Sequence, residues 1–553
     1  MMDFTQAPED PQKDAEITAT DLAVYQHLYT AVAEEMGAVL ARTGYSPNIK
    51  ERKDFSCALF DAAGDLLAQA AHIPVHLGAM PRSVAAARAA FPDPVPGDLV
   101  MLNDPFEGGT HLPDVTLVAP VFHGDTLLGY TATRAHHADV GGMTPGSLPH
   151  STEIQQEGLR IPPVRLMRRG ELQEDLLRIF AANSRNPPER RGDLRAQMQA
   201  HHVGEQRWTE LVGRHGVGRL TQMNAALMAY ADRCMRAALA EIPSGTWTAE
   251  AWIENEAGDG PAAVLRGVLA VRAEGTADRI TVDLRESDDQ IQGSLNAVRA
   301  ITEAAVDCVF LCWMCRANPA SPPPINAGSF REIRLLTRSG SVLDAVWPAA
   351  VAGGNVETSQ RVVDLVMDLL GQAMPGQVPA QSQGTMNNVT LGGQLADGSG
   401  FAYYETLGGG AGAGPDRAGA SAIQTHMTNT LNTPVEALEY AYPLRVDCLE
   451  IRKGSGGRGL RAGGDGLIRA WEALVPVTVN LLTERRWQGP CGTAGGEKGT
   501  PGRQVCLRAN GEVVRLPGKG GVQLQPGDIL RVETPGGGGF GAPSAEPIQE
   551  VRT

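Results

Sequence analysis

One stretch of the chain, residues 103–142, concentrates side chains that are able to bind a metal ion. It contains four of the 12 histidines, together with four aspartates. Two or three imidazoles with one or two carboxylates form a ligand set typical of first-row divalent metals. The residues that could supply it are His111, Asp114, His136, His137 and Asp139. Glycine pairs at 108–109 and 141–142 would let the backbone bend close to such a site.

The interior of this stretch predicts a β-hairpin, which would bring those side chains together. Residues 115–122 are apolar and β-branched, residues 127–134 form a second extended run, and the four residues between them are typical of a turn. A three-residue loop would place Asp114 opposite His136, whereas a two-residue loop would shift the pairing by one residue. In either register, the ligand candidates lie at the open end of the hairpin.

Strand geometry favours some of these candidates over others. Adjacent residues of a strand face opposite sides of a sheet, so only one of His136 and His137 is expected to bind the ion directly. The favoured ligands are His111, Asp114 and His136. Additional candidates for the site are His72, His76 and Asp104. The alternative is an exposed turn with unrelated histidines. Zinc, manganese and iron all accept histidine and aspartate, so the pattern leaves the metal open.

The same residues resemble a known protein family. NDPFEGGTHLPD at 103–114 and RAHHADVGG at 134–142 are similar to the signature of the hydantoinase B/oxoprolinase family. This family includes the B subunit of N-methylhydantoinase, the C-terminal half of 5-oxoprolinase and the alpha subunit of acetone carboxylase. Further similarity, including SPNIKERKDFSC at 46–57 and YYE at 403–405, covers essentially the whole chain. One turn departs from the pattern, because Glu286-Ser287 stand where the family has Gly-Thr.

The resemblance implies a subunit of an ATP-dependent hydrolase that opens a cyclic amide. A separate hydantoinase A-type subunit would phosphorylate the ring amide oxygen with ATP and Mg²⁺, and this chain would hydrolyse the ring at its metal centre within a hetero-oligomer. The candidate bases for a water molecule are Asp139, Glu157 and Glu405. The candidates for substrate contact or for support of the ligands are His137, Asp104, Arg185 and Asn355. Two alternatives stay open: an alpha-type subunit of an ATP-dependent ketone carboxylase, and a non-catalytic scaffold subunit. The motifs do not identify the cyclic amide or the ketone.

Local chemistry gives two of these assignments a physical basis. Arg185 offers a rigid fork of donors for a carboxylate or a phosphate, although a helix-entry turn is the alternative. Gly353-Gly354-Asn355 precedes a helix predicted to begin near Glu357. The N–H groups of that segment could bind an anion, or its glycines could serve tight packing of a strand against the helix.

The composition describes a soluble globular protein and excludes several classes of function. Hydrophobic residues make up 42% of the chain and charged residues 20%. A net charge of −15 argues against binding to nucleic acid or to an anionic membrane. No apolar run reaches the ~18 residues of a membrane span, and from its polar N-terminus we expect no secretory signal. With eight cysteines in so long a chain, we expect a reducing, cytoplasmic compartment.

The fold class expected from these patterns is α+β with several subdomains. The 65 glycines and 37 prolines favour turns and short strands, so we expect glycine-rich antiparallel β segments with a helical block near residues 171–242. The glycine-rich stretches lack the G-x-x-x-x-G-K-[ST] pattern of an ATP phosphate loop, and turns are expected there instead. The predicted organisation is a disordered lead (1–17), an N-terminal metal-bearing domain with the helical block (18–245), a β-rich middle segment (246–345), a C-terminal glycine-rich α+β domain (346–545) and a tail (546–553).

Overall fold

The computed structural model describes residues 17–70, 73–273 and 279–543, and it confirms the α+β class with 31% helix and 26% strand. The α-helices are α1 (Ala19–Thr43), α2 (Pro47–Lys50), α3 (Pro74–Ala90), α4 (Glu174–Ala182), α5 (Pro187–His215), α6 (Val217–Ala240), α7 (Arg299–Cys315), α8 (Ser359–Ala373) and α9 (Val435–Ala441). A π-helical turn, Gly354–Thr358, leads directly into α8. The helical block predicted near residues 171–242 is confirmed as α4 to α6, although Glu171–Leu172 is a short strand. Within the described residues, every helix is too short or too polar to cross a membrane.

The strands of the described residues form four sheets, whose members are given in spatial order. Sheet 1 contains β2 (Leu66–Gln69), β1 (Phe55–Asp61), β5 (Thr126–His136), β4 (Asp114–His123), β3 (Leu99–Leu102), β6 (Val164–Arg168) and β7 (Glu171–Leu172). Sheet 2 contains β11 (Ile333–Leu336), β10 (Ile280–Asp283), β9 (Pro261–Val271) and β8 (Gly245–Glu254). Sheet 3 contains β13 (Gly400–Glu405), β12 (Asn388–Gln394), β16 (Val477–Leu482) and β19 (Lys519–Leu524). Sheet 4 contains β14 (Leu444–Arg452), β15 (Gly466–Ala473), β20 (Ile529–Glu533), β17 (Arg503–Leu507) and β18 (Val513–Leu516).

Sheet 1 is covered by helices on both faces. Along β1, Cys57 and Leu59 pack into a core with α1 and α5, whereas Ala58 and Phe60 pack into a second core with α3. This alternation follows from the two-residue period of a strand. The central β4–β5 hairpin is therefore buried on both sides, and its open end lies inside the protein rather than at the surface.

The predicted hairpin is confirmed, and its register combines features of the two predicted alternatives. The loop is the two-residue turn Gly124-Asp125, but Leu128 is an extra residue in β5 that shifts the pairing by one. Beyond this bulge, Asp114 lies opposite His136. Gly129 follows the bulge with a φ of 156°, and a Cβ at this position would lie 2.0 Å from the carbonyl oxygen of Phe60 on β1. A glycine beside a bulge with such close backbone approach is the expected pattern.

The glycine-rich stretches differ from the predicted turns. Residues 534–541 run as an extended, non-strand segment with Thr534 to Phe540 buried. Their backbone N–H groups donate to different neighbouring segments in turn: Gly536 to Thr500, Gly537 to Gly464, Gly538 to Gln381 and Gly539 to Glu497. The same neighbouring segment is therefore contacted at every third residue, as when a chain turns with three residues per turn. We call this central segment and its neighbours at 408–414, 455–466 and 489–500 the glycine bundle.

Close packing explains why the glycine bundle excludes side chains. A Cβ on Gly536 would lie 2.0 Å from the Ser455 carbonyl oxygen, and one on Gly538 would lie 2.1 Å from that of Cys491. Only glycine fits where backbones meet at such distances, as at the axis of collagen. The run of glycines therefore serves backbone-to-backbone packing instead of chain reversal.

The sheets are distributed along the chain in an order compatible with the predicted domains, whose boundaries stay a prediction. Sheet 1 lies within 18–245, sheet 2 begins with β8 near the first boundary, and sheets 3 and 4 lie within 346–545. The largest apolar core draws residues from all three ranges, from Ile73 to Leu482. The predicted lead and tail lie outside the described residues, apart from Ile17.

Candidate metal centre

The open end of the β4–β5 hairpin holds His111, Asp114 and His136 in one buried group. The Asp114 Oδ1 atom lies 3.1 Å from His111 Nε2 and 3.2 Å from His136 Nδ1. The exposed fraction of each of these side chains is 4% or less. One potential ligand atom from each residue lies within 4.8 Å of the other two. The three residues that the sequence pattern favoured as ligands are thus brought together.

Local backbone structure positions each of the three. Asp114 is the first residue of β4 and His136 the last of β5, so strand pairing fixes their separation. His111 belongs to the preceding loop, which begins with a 3₁₀ turn, Pro105–Glu107. Asp104 accepts a hydrogen bond from the Phe106 N–H and so caps this turn. Asp104 also pairs with Arg160 at 3.3 Å, so the structure places it in the support of the loop.

The spacing of these donor atoms fits a small divalent ion. Metal bonds of about 2.0–2.1 Å arranged tetrahedrally place ligand atoms about 3.3 Å apart, and the octahedral spacing is about 3.0 Å for slightly longer bonds. The distances of 3.1 and 3.2 Å lie between these values. Two imidazole nitrogens and a carboxylate oxygen form a donor set that suits zinc, manganese or iron.

The second oxygen of Asp114 is held by protein groups, which leaves Oδ1 directed at the histidines. Asp114 Oδ2 accepts a hydrogen bond from Thr110 Oγ1 at 3.0 Å and lies 3.4 Å from His76 Nε2. Burial alone would raise the pKa of Asp114, but the imidazoles of His111 and His76 hold it well below its usual value. Asp114 is therefore an ionised carboxylate, which is the form a metal needs. His76, an alternative ligand in the sequence, supports Asp114 in the structure, and His72 lies outside the described residues.

His136 is fixed by stacking on an aromatic ring. Its imidazole lies on Tyr404 with 4.6 Å between ring centroids and 23° between planes. Burial lowers the pKa of His136, which favours the neutral, metal-binding form. Its Nε2 atom is buried and has no hydrogen-bond partner among the described residues.

Tyr404 begins a chain of buried hydrogen bonds that no sequence pattern predicted. The Tyr404 hydroxyl donates to Asn388 Oδ1 at 2.8 Å, and Asn388 Nδ2 donates to Glu357 Oε1 at 2.7 Å. Burial raises the pKa of Glu357 to about 8. The Arg52 guanidinium lies 4.8 Å from the centre of the Tyr404 ring. The YYE motif at 403–405 was the available signal, although it directed attention to Glu405 and not to the tyrosine.

Glu157 lies next to the cluster and keeps one oxygen free of protein donors. Its Oε1 atom accepts hydrogen bonds from Ser151 Oγ and from the N–H groups of Val351 and Ala352. The carbonyl oxygen of Ala352 in turn lies 3.4 Å from His111 Nδ1. Glu157 Oε2 is buried without a hydrogen-bond partner in the described structure. Burial raises the pKa of Glu157 to about 7.

The other two candidate bases have charged partners of their own. Asp139 accepts a hydrogen bond from the Arg185 guanidinium at 2.7 Å and others from the backbone N–H groups of Gly141 and Gly146. Glu405 lies 3.0 Å from Arg469 Nε, and both side chains are fully buried. The structure thus uses Arg185, a predicted substrate contact, to hold Asp139.

His137 points to the opposite face of sheet 1. Its Nε2 atom lies 3.0 Å from Gln197 Oε1 on α5, and its ring meets Phe180 of α4 edge-on. Burial lowers its pKa to about 4. The structure thus places His136 and His137 on opposite faces of the sheet, as the alternation of side chains along a strand predicted.

Asn355 reaches the cluster from a distant part of the chain. Its Nδ2 atom lies 3.0 Å from His111 Nε2, and its Oδ1 atom is buried without a partner among the described residues. The predicted use of this segment as an anion-binding helix start differs from what is found. The N–H groups of Gly353 and Gly354 donate to the Ser294 carbonyl, and Asn355 lies in the π-helical turn.

A cavity of about 620 Å³ opens beside the loop that carries His111. Phe106, Gly108 and Gly109 of that loop line it, together with Trp347, whose side chain is 46% exposed. The Arg160 guanidinium lies over the Trp347 ring at 4.1 Å from its centre. The cavity is large enough for a small ring compound and lies on the loop side of the buried group.

Comparison with known proteins identifies relatives that share almost the whole chain. Residues 18–543 match the family model for hydantoinase B/oxoprolinase. 5-Oxoprolinase 1 of Arabidopsis thaliana is 38% identical over 94% of this chain, which spans 42% of that relative's length. A protein of Pseudomonas sp. (strain NS671), named as a putative D-/L-hydantoinase B subunit, is 30% identical over 94% of this chain and 89% of its own. The crystal structure of ATP-dependent caprolactamase from Pseudomonas jessenii superposes with a TM-score of 0.86 and 27% identity, covering 97% of this chain and 93% of the other.

Proposed function

The chain belongs to the hydantoinase B/oxoprolinase family, and from this premise we propose that it is the hydrolytic, metal-dependent subunit of an ATP-dependent cyclic-amide hydrolase. Relatives named as a 5-oxoprolinase, a hydantoinase B subunit and a caprolactamase support a hydrolase-type subunit that acts on cyclic amides. The single observation that carries the metal-dependent part is the buried group of His111, Asp114 and His136, whose donor atoms lie at ligand spacing.

The protein residues of this site divide the work of hydrolysis. A divalent ion at these ligands would act as a Lewis acid toward the activated ring and lower the pKa of a water. Glu157 is the base in this proposal, because its Oε2 atom has no protein donor among the described residues and its pKa of about 7 suits proton transfer near neutral pH. The cyclic amide would enter through the cavity lined by Phe106 and Trp347.

Activation of the amide is assigned to a partner. The relative named as a hydantoinase B subunit and the ATP-dependent caprolactamase support a complex of more than one kind of subunit. In the proposal, a hydantoinase A-type subunit binds ATP and Mg²⁺ and phosphorylates the ring amide oxygen. The phosphorylated ring then reaches His136 and Glu157, where water adds to the carbon that carries the activated oxygen. The added hydroxyl group loses its proton to the ring nitrogen as the C–N bond breaks, and a second water releases phosphate from the resulting acyl phosphate.

Reconstitution with an A-type subunit tests this proposal. We expect wild-type protein prepared without chelators to hold about one divalent ion per chain and to support ATP-dependent opening of a cyclic amide. Asp114→Asn should lose both the ion and the hydrolysis. His123→Ala, at the exposed turn of the same hairpin, is the matched control and should keep both.

Three results would point elsewhere. Wild-type protein without bound metal, or full hydrolysis by Asp114→Asn, would remove the metal-dependent function and favour a scaffold subunit. ATP turnover that depends on bicarbonate in the same mixture would favour a ketone carboxylase.

A further inference from the structure

One buried polar atom at the cluster has no explanation in the hydrogen bonds of the protein. The Oδ1 atom of Asn355 has no partner among the described residues, although its side chain lies against His111. Leaving a buried amide oxygen unpaired costs about 1–3 kcal/mol. Such an atom in a native protein calls for an explanation, which a bound water or ion can supply.

The contacts of His111 indicate what that ligand is. Its Nδ1 atom faces the Ala352 carbonyl at 3.4 Å, which favours the tautomer with the proton on Nδ1 and a lone pair on Nε2. Two side chains converge on this lone pair: Asp114 Oδ1 at 3.1 Å and the Asn355 amide at 3.0 Å. A cation bound by His111 Nε2 would therefore meet both.

Rotation of the Asn355 amide by 180° exchanges its nitrogen and oxygen without moving the rest of the side chain. With Nδ2 inward, the amide donates to the His111 Nε2 lone pair. With Oδ1 inward, two lone pairs would face each other at about 3 Å, and a cation between them makes this arrangement favourable. The same rotation gives the oxygen a cation to bind and turns Nδ2 to the side where Oδ1 had no hydrogen-bond partner among the described residues, so only binding of the cation makes it favourable.

The backbone around Asn355 is rigid enough to serve as a ligand platform. The Ser359 hydroxyl donates to the Asn355 carbonyl at 2.6 Å, and the Thr358 hydroxyl donates to the Leu295 carbonyl at 2.5 Å. A Cβ on Gly354 would lie 1.9 Å from the Asn296 carbonyl oxygen, so the π-helical turn is packed directly on another backbone. π-Helical turns occur frequently at functional sites.

We propose that Asn355 is the fourth protein ligand of the divalent ion, binding through Oδ1 after its amide turns over. The inference rests on the proposed metal site and goes beyond it in two respects. First, the protein ligands become two nitrogens and two oxygens. Second, four protein ligands would fill a tetrahedral site, so only an ion with a coordination number of five or six keeps a position open for the substrate. Manganese or ferrous iron meets this condition better than tetrahedral zinc.

Cobalt titration of full-length protein tests the assignment. The visible absorption of Co²⁺ reports its coordination, and competition with a chromophoric chelator gives the dissociation constant. We expect Asn355→Ala to weaken binding of Co²⁺ and Mn²⁺ about 10- to 100-fold and to change the absorption bands. Asn355→Asp keeps an oxygen but loses the N–H donor, and it should bind at least as tightly as wild type with wild-type-like bands.

Asn48→Ala provides the matched control, since Asn48 is a buried amide that contacts only the backbone carbonyl of His136 within the cluster. Its cobalt spectrum should match that of wild type. Equal affinity and spectrum in wild type and Asn355→Ala, or binding by Asn355→Asp as weak as by Asn355→Ala, would overturn the fourth ligand and leave the three-residue site standing. Failure of wild type to bind either ion would instead remove the proposed metal-dependent function. The near-isosteric Asp variant keeps the test valid if the Ala variant does not fold.

Discussion

Replacing Gly537 by alanine should destabilise the protein far more than any ordinary surface change. A Cβ on Gly537 would lie 2.0 Å from the Ala411 carbonyl oxygen and 2.8 Å from the Gly412 N–H nitrogen. An ordinary van der Waals contact begins near 3.4 Å, so the segments would have to separate by about 1.4 Å. Both obstacles are backbone atoms, which cannot rotate away as a side chain would.

The size of the effect follows from the contacts that such a separation breaks. The Gly410 N–H donates to the Pro535 carbonyl and the Ala413 N–H donates to the Gly538 carbonyl, each at 2.9 Å. Each hydrogen bond contributes about 1 kcal/mol net, and overpacking of a dense interior costs about 1–3 kcal/mol. Together they predict a loss of about 3–5 kcal/mol in the free energy of unfolding.

Urea denaturation of the purified variant beside wild type measures this loss. Gly213→Ala is the matched control, because Gly213 lies exposed in α5 and no atom lies within 4 Å of a Cβ placed there. That change should stabilise the helix by up to about 1 kcal/mol. If Gly537→Ala unfolded within about 1 kcal/mol of wild type, the close-packing explanation of the glycine bundle would be wrong.

Two pH-dependent effects complete the predictions. In the reconstituted complex, turnover should rise with pH through about 7 as Glu157 ionises. Glu157→Gln should lower turnover about 10²–10⁴-fold, and a variant with an unchanged pH profile would exclude Glu157 as the base. Glu357 has a folded-state pKa of about 8, above its usual 4.5, so its contribution to stability is present below pH 4.5 and is lost as pH rises to about 8. The thermal midpoint of Glu357→Gln should therefore fall less than that of wild type between about pH 5 and about pH 9. An equal fall in the two proteins would show that Glu357 is not the cause of the decline.

The sequence predicted the hairpin because strand patterns and turn residues are local signals. It also predicted which of His136 and His137 faces the cluster, since alternation along a strand needs no knowledge of the rest of the fold. The bulge at Leu128 was not predictable in the same way. It depends on how closely Gly129 approaches Phe60 of β1, which is a contact between segments that are far apart in the sequence.

The partners of the cluster illustrate the limit of local reasoning more strongly. Asn355 and His111 are separated by 244 residues, and Tyr404 stacks on a histidine from another sheet. Neither spacing nor composition encodes such contacts. The prediction of a turn at the glycine run 536–539 was wrong for a related reason, because glycine is compatible both with turns and with close backbone contact. Four consecutive glycines at 536–539 favour the second, since a turn needs only one or two.

The arrangement of donors around Asp114 explains why this end of the hairpin suits a cation. Asp114 is ionised and fully buried, and the nearby neutral imidazole of His136 brings no compensating charge. The imidazoles of His111 and His76 favour the ionised form of Asp114, but burying a carboxylate whose charge is only partly compensated costs several kcal/mol. The hydrogen bond from Thr110 offsets part of this cost, but it reaches only Oδ2. The negative charge that is left without a hydrogen-bond donor therefore lies at Oδ1, where the histidine nitrogens face it. A divalent ion at that position would offset the charge, so binding it would also stabilise the buried end of sheet 1.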